Sequence, residues 1–121
     1  MKASSHKKRI IERMTALEVY KPEFEATITA LATLLRDYDE TDASYDSLGR
    51  PPLYEYTNKG GAANFIKHPL LAVLEKQREM ILKYYSELGL TPRGFLKLKP
   101  KGLHDVRKST LENFFANEQR E

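Results

Sequence analysis

The sequence contains no cysteine, which excludes a disulfide framework, a thiolate metal site and a cysteine nucleophile, and suits a reducing cytoplasm. It lacks any run of about 20 apolar residues, the length a membrane-crossing helix needs, and its mean hydropathy is -0.59. No membrane partner is expected. The opening Met1-Lys2-Ala3-Ser4-Ser5-His6-Lys7-Lys8-Arg9 is basic but leads into no apolar signal-peptide core. Catalytic signatures are missing too. His6, His68 and His104 stand far apart and none has the spacing that sets metal ligands on one helical face. There is no phosphate-cradling G-x-x-x-x-G-K-[ST] loop and no G-x-S-x-G elbow. The remaining carboxylates read as solvated helix faces. The expectation is therefore a chain with no enzymatic activity, no metal and no cofactor.

What is present is 121 residues with 40% hydrophobic content, enough for one compact domain whose modest core gains from subunit contacts. The formal net charge is only +3, but it is unevenly placed. Lys2, Lys7, Lys8, Arg9 and Arg13 gather near one end, and Arg93, Lys97, Lys99, Lys101, Arg107 and Lys108 near the other. The acidic counterweight, Asp37, Asp39, Glu40, Asp42 and Asp46, lies between them. Such an arrangement can present positive surface while the whole chain stays near neutral, which suits a nucleic-acid partner and equally suits basic ends that only keep the protein soluble.

Apolar periodicity predicts a mainly α fold. A first helix is expected to start near Ser4 or Ser5 as caps, with Ile10, Ile11, Met14 and Leu17 on one face. Pro22 suits the first position of a second helix, along which Phe24, Ile28, Leu31, Leu34, Leu35 and Tyr38 form a continuous stripe. The acidic, turn-rich stretch from Asp39 to Arg50, ending in Gly49 and Pro51-Pro52, reads as a loop. Leu53 to Thr57 and Asn64 to Lys67 read as strands around an Asn58-Lys59-Gly60-Gly61 turn. A lone hairpin is barely stable in water, so this one must pack on helices or a neighbouring subunit.

A third helix opens at Pro69 and stops before Gly89. Leu70, Val73, Leu74, Met80, Ile81, Tyr84, Tyr85 and Leu88 approximate a heptad seam that Gln77 interrupts. The two long helices then form an antiparallel pair. Thr91-Pro92 begins at best a short helix, weakened by Gly94. A basic linker follows, and a final helix between Leu103 and Gln119 carries a Ser109/Glu112 capping box. The organisation expected is a helical domain over residues 1–98 with extra N- and C-terminal helices, then a basic linker and helical tail over 99–121.

The residues His68-Pro69-Leu70-Leu71 and Tyr85-Ser86-Glu87-Leu88-Gly89-Leu90-Thr91-Pro92 resemble the tailed-bacteriophage terminase small-subunit family. There a histidine- or asparagine-proline opens a long helix that closes with E-L-G-L-T-P. The likeness extends over roughly residues 20 to 98, with Tyr20 to Asp42 similar to the family's preceding helix and Leu53 to Lys67 to its short strands. After Thr91-Pro92, where small polar residues and an arginine-rich turn are usual, this sequence has Arg93-Gly94-Phe95-Leu96-Lys97-Leu98. The resemblance implies a ring of identical subunits that recognises or holds double-stranded viral DNA and stimulates the terminase large subunit, an ATPase and nuclease, in the host cell cytoplasm.

Within that frame Lys7, Lys8, Arg9 and Arg13 are the candidate phosphate contacts, with Lys97, Lys99, Lys101, Arg107 and Lys108 as a second patch. Such residues position DNA without specifying bases. Leu31, Leu34, Leu35, Tyr38, Leu74, Ile81 and Tyr85 are candidate oligomerisation residues; the same stripe also suits an intramolecular core. Leu111, Phe114 and Phe115 are candidate anchors for docking on a partner or another subunit; packing back onto the chain's own domain suits them equally. Two alternatives stand beside this reading. One is a non-enzymatic adaptor that binds mainly protein. The other is a small helix-turn-helix regulator, against which the third helix is too apolar to serve as an exposed recognition helix.

Overall fold

In a computed structural model, described here over residues 1–98, the chain runs α1 (Ala3–Ala16), a 3-10 turn (Pro22–Phe24), α2 (Glu25–Ser47), β1 (Leu53–Thr57), β2 (Ala63–Lys67), α3 (Pro69–Glu87) and α4 (Pro92–Leu98). The mainly α architecture with a small hairpin is as the periodicity predicts. α2 and α3 pair in antiparallel fashion: Tyr38 meets Arg78 and Thr41 meets Gln77, while Tyr45, further along α2, meets His68 just before α3 begins.

Ile10 and Met14 of α1, Val19 of the following turn, Ile28, Leu31 and Ala32 of α2, Ile81 of α3 and Leu88 at its end share one core. Met14, Ile28, Leu31, Leu74 and Leu88 are fully enclosed, each contributing about 1.5–3 kcal/mol through apolar burial. On α3 and its cap the buried positions Leu74, Ile81 and Leu88 recur every seventh residue. That spacing keeps one face on α2 and the α1 end of the core.

The end of each long helix is written locally. Gly49 and Gly89 have φ of +81° and +76°. The amide of the following residue, Arg50 or Leu90, donates back to Tyr45 O or Tyr85 O at 3.1 and 2.8 Å, the double-looped closure of a Schellman motif. α1 closes the same way, with Val19 N donating to Met14 O at 2.9 Å and Glu18, not glycine, in the left-handed position at φ +60°.

Two expectations are corrected. Ser4 and Ser5 do not cap α1; the helix begins at Ala3 after Lys2, without a side-chain cap. Its start is instead tied to α2, where Asp39 receives His6 Nε2 at 2.7 Å and the N-terminal ammonium at 3.5 Å. The segment read as a loop from Asp39 is helical to Ser47, so α2 has 23 residues and is about 35 Å long at 1.5 Å per residue. No glycine or proline interrupts it before Gly49, and its acidity is matched: Arg50 reaches Asp42 at 3.0 Å and Asp46 at 2.7 Å. Buried Tyr45 fixes the last turn, its hydroxyl donating to Pro51 O at 2.6 Å.

The helix after Thr91 is short, seven residues, as expected, and Gly94 within it is buried against α3, where any Cβ would overlap the Ser86 carbonyl. Thr91 Oγ1 caps the helix by accepting from Gly94 N at 3.0 Å.

The hairpin pairs Leu53 with Lys67 through Thr57 with Ala63. Asn58 Oδ1 organises its turn by accepting from Gly60 N and Ala62 N, both at 3.0 Å. All ten strand residues are exposed. The helices hold the hairpin at its base: His68 N donates to Pro52 O at 3.1 Å, and the buried His68 ring stands against Tyr45 and Tyr54. Nδ1 of the same ring accepts from Leu70 N at 3.1 Å, capping α3.

Candidate nucleic-acid interface

Five basic side chains lie on α1 or at its start because the buried stripe of Ile10 and Met14 leaves the rest of a 14-residue helix to solvent. They do not share one environment. Lys7 is drawn to the start of α2, where it pairs with Glu25 at 2.5 Å. The hydrogen bond from Lys7 holds the Glu25 carboxyl below its ordinary range, against a smaller opposing effect of burial. Lys2 and Lys8 are exposed.

Arg9 and Arg13, one helical turn apart, edge a cavity of about 290 Å³ that also touches His6, Tyr85 and Leu90. Neither guanidinium makes a salt bridge among the described residues. This contrasts with α2, where Asp37, Asp39, Asp42 and Asp46 are each matched by a basic group. The fold thus engages these four α2 carboxylates internally, two of them through the single Arg50, while Glu40 stays exposed. On α1, Arg9 and Arg13 keep positive charge without a salt bridge among the described residues, which raises the local concentration of anionic ligands.

Lys97 is exposed on α4. Its neighbour Leu98 reaches Gly89, as does Val19 beyond the end of α1, so Lys97 stands at the same end of the molecule as the last turn of α1. Lys99, Lys101, Arg107 and Lys108 lie outside the described residues, as do Leu111, Phe114 and Phe115 and the predicted tail helix.

The matching family model is that of the phage terminase small subunit, over residues 3–103. The chain belongs to that family. Membership gives it a role in phage DNA packaging, in a subunit class that is generally regulatory and not catalytic. No curated protein and no solved structure matches it. Among the described residues, no helix is long and apolar enough to cross a membrane.

For a terminase small subunit the fate of the apolar stripe matters. Leu31, Leu74 and Ile81 are enclosed by their own chain, whereas Leu34, Leu35, Tyr38 and Tyr85 are half-buried around the core. Contact with another copy at the first three would require the core to open. Most of the large exposed apolar side chains are elsewhere, Leu53, Tyr54, Tyr56, Phe65 and Ile66 on the hairpin and Val73, Met80 and Leu82 on α3, with Met1, Leu17, Leu48 and Leu96 scattered over other elements.

Sequence reasoning missed the His6–Asp39 tie and the place of Tyr85 in the Arg9/Arg13 cavity. No motif spacing signals either, because each joins residues from different helices. The hairpin's exposed apolar faces were legible from its alternation; that the helices would leave them uncovered was not.

Proposed function

We propose that this chain is the DNA-holding, non-catalytic component of a phage packaging machine, assembled from copies of itself into a ring and regulating the terminase large subunit in the host cytoplasm. The observation that carries the DNA part is the pair of unmatched guanidiniums, Arg9 and Arg13, on a helix that also exposes Lys2 and Lys8. With Lys7 and Lys97 they offer phosphates a cationic end, and repetition around a ring multiplies weak contacts.

Self-association is supported by the hairpin. Tyr54, Tyr56 and Ile66 share one of its faces and Leu53 and Phe65 the other, both open to solvent. Phe65 is 67% exposed. A two-stranded sheet without cover is marginal in water, and its free edges offer unpaired backbone groups to another chain. We assign the subunit contact to this hairpin and the adjoining outer side of α3, with half-buried Leu34, Leu35, Tyr38 and Tyr85 held as core support. The segment containing Leu111, Phe114 and Phe115 is assigned to docking on the large subunit.

Absolute mass in solution and double-stranded DNA binding over a salt series test this reading. A discrete assembly is expected, with log affinity falling against log salt at a slope near -4 to -5 if about five phosphates are neutralised. A stable monomer, or binding indifferent to salt, would sink it. Deleting residues 103–121 is expected to remove stimulation of the large-subunit ATPase while DNA binding persists.

A further inference from the structure

The cavity between α1 and the last turn of α3 has more in it than loose positive charge. Arg9 and Arg13 edge it from α1, Tyr85 from α3, and Ile10 and Leu35 supply apolar lining. His6 also lines it but is committed through Nε2 to Asp39 at 2.7 Å. Asp39 is a carboxylate near enough for its charge to act on Tyr85. It is shared by His6 and the N-terminal ammonium, so its charge is already engaged. Tyr85 is half-buried, and burial raises its hydroxyl's pKa against the pull of Arg13, with Asp39 acting in the same direction as burial. The group therefore stays protonated and able to donate.

We propose that this cavity is a phosphate clamp, in which the Arg9 and Arg13 guanidiniums and the Tyr85 hydroxyl together hold one phosphodiester of the DNA backbone. The inference rests on the DNA-binding reading and goes beyond it by naming α3 as a contributor. The donors come from two helices, which suits the tetrahedral oxygens of a phosphate; a planar carboxylate is satisfied by one guanidinium fork. The apolar lining lowers the local dielectric and strengthens each contact. Lys8, outside the cavity, adds charge without geometry.

The substitutions Arg13→Lys and Tyr85→Phe separate clamp from charge, with Lys8→Ala as reference. In the full-length assembly, Arg13→Lys keeps the charge and therefore the salt slope, yet it is expected to weaken DNA binding about tenfold through loss of the fork. Tyr85→Phe is expected to weaken it severalfold, also at unchanged slope, whereas Lys8→Ala makes the slope shallower by about one. Inorganic phosphate is the direct probe. Its phosphorus NMR line should broaden saturably with the wild type and less with either clamp variant, and sodium acetate at equal concentration should not compete.

Wild-type DNA binding with both clamp variants unimpaired would overturn the clamp and leave the DNA reading intact. Saturable phosphate broadening without DNA binding would leave a phosphate site at the cavity and overturn its assignment to the DNA backbone together with the DNA reading. Competition by acetate as strong as by phosphate would overturn the assignment in favour of an acidic protein side chain.

Discussion

Gly94 lies so close to Ser86 that a Cβ on the glycine would overlap the Ser86 carbonyl oxygen and stand 2.8 Å from its carbon. The obstacle is backbone within α3, which cannot swing aside as a side chain does. Gly94→Ala is therefore expected to lift α4 from α3 and destabilise the protein by about 1–3 kcal/mol, the range for forced overpacking. On helix propensity alone the same change would stabilise by up to about 1 kcal/mol. Urea unfolding decides between them, and a raised midpoint would refute the close α3–α4 contact.

Gly49 and Gly89 share a left-handed backbone but not a neighbourhood. Around Gly49 a Cβ meets nothing within 4 Å, whereas at Gly89 it would come within 2.8 Å of Leu98 Cδ1. Gly49→Ala should cost only the conformational strain, about 1 kcal/mol. Gly89→Ala should cost that and more, because Leu98 must move as well. Equal losses in thermal denaturation would argue against α4 packing over Gly89.

Gln77 donates to Thr41 Oγ1 at 3.4 Å, while its buried Oε1 has no partner among the described residues. Thr41 does not depend on Gln77, since its own hydroxyl donates to Asp37 O at 2.9 Å. Gln77→Leu should therefore stabilise the protein by about 1 kcal/mol, removing an unsatisfied buried acceptor and adding apolar contact. A loss of more than that amount on chemical denaturation would mean that the amide contributes more than the apolar side chain replacing it.

Burial pushes the Asp39 carboxyl up, but hydrogen bonds and charge from His6 and the N-terminus outweigh it and leave the group below its ordinary 3.8. A depressed carboxylate contributes stability that is present above the unfolded value and lost as pH falls through the folded one. Asp39→Asn should consequently flatten the decline in stability below pH 3.8. The effect should stay under about 1 kcal/mol, since the side chain is partly solvated. Parallel acid-unfolding curves for the two proteins would show that the pair contributes nothing.

Much of this fold was legible because its signals are local. Pro69 and Gly89 bound α3, Asn58 and Gly61 set the hairpin turn, and the apolar spacing found the buried faces. The acidic end of α2 was not legible. Its charges read as a loop until Arg50, His6 and the N-terminus are seen to contact Asp39, Asp42 and Asp46, and two of those partners arrive from far away in sequence. At Gly94 the short helix was legible but the reason for the glycine was not: propensity prices the residue in isolation, whereas its value lies in the approach of Ser86. At the candidate site, sequence identified Arg9 and Arg13 by charge; only the fold brings Tyr85 to the same cavity, because α1 and α3 meet across α2.

The three helix closures at Glu18, Gly49 and Gly89 also bear on how the chain reaches its structure. Each reverses the backbone within a few residues, and the strongest packing joins elements that are neighbours in sequence: α1 with α2, β1 with β2, α3 with α4, and α2 with α3 across the hairpin. Little loop-closure entropy stands between the unfolded chain and such contacts. Folding of residues 1–98 should be rapid, roughly in the microsecond-to-millisecond range of helical domains with local topology. In the proposed ring, the slow, concentration-dependent step is then the meeting of finished subunits, so the rate at which such rings appear should follow the amount of protein synthesised and not the time each copy takes to fold.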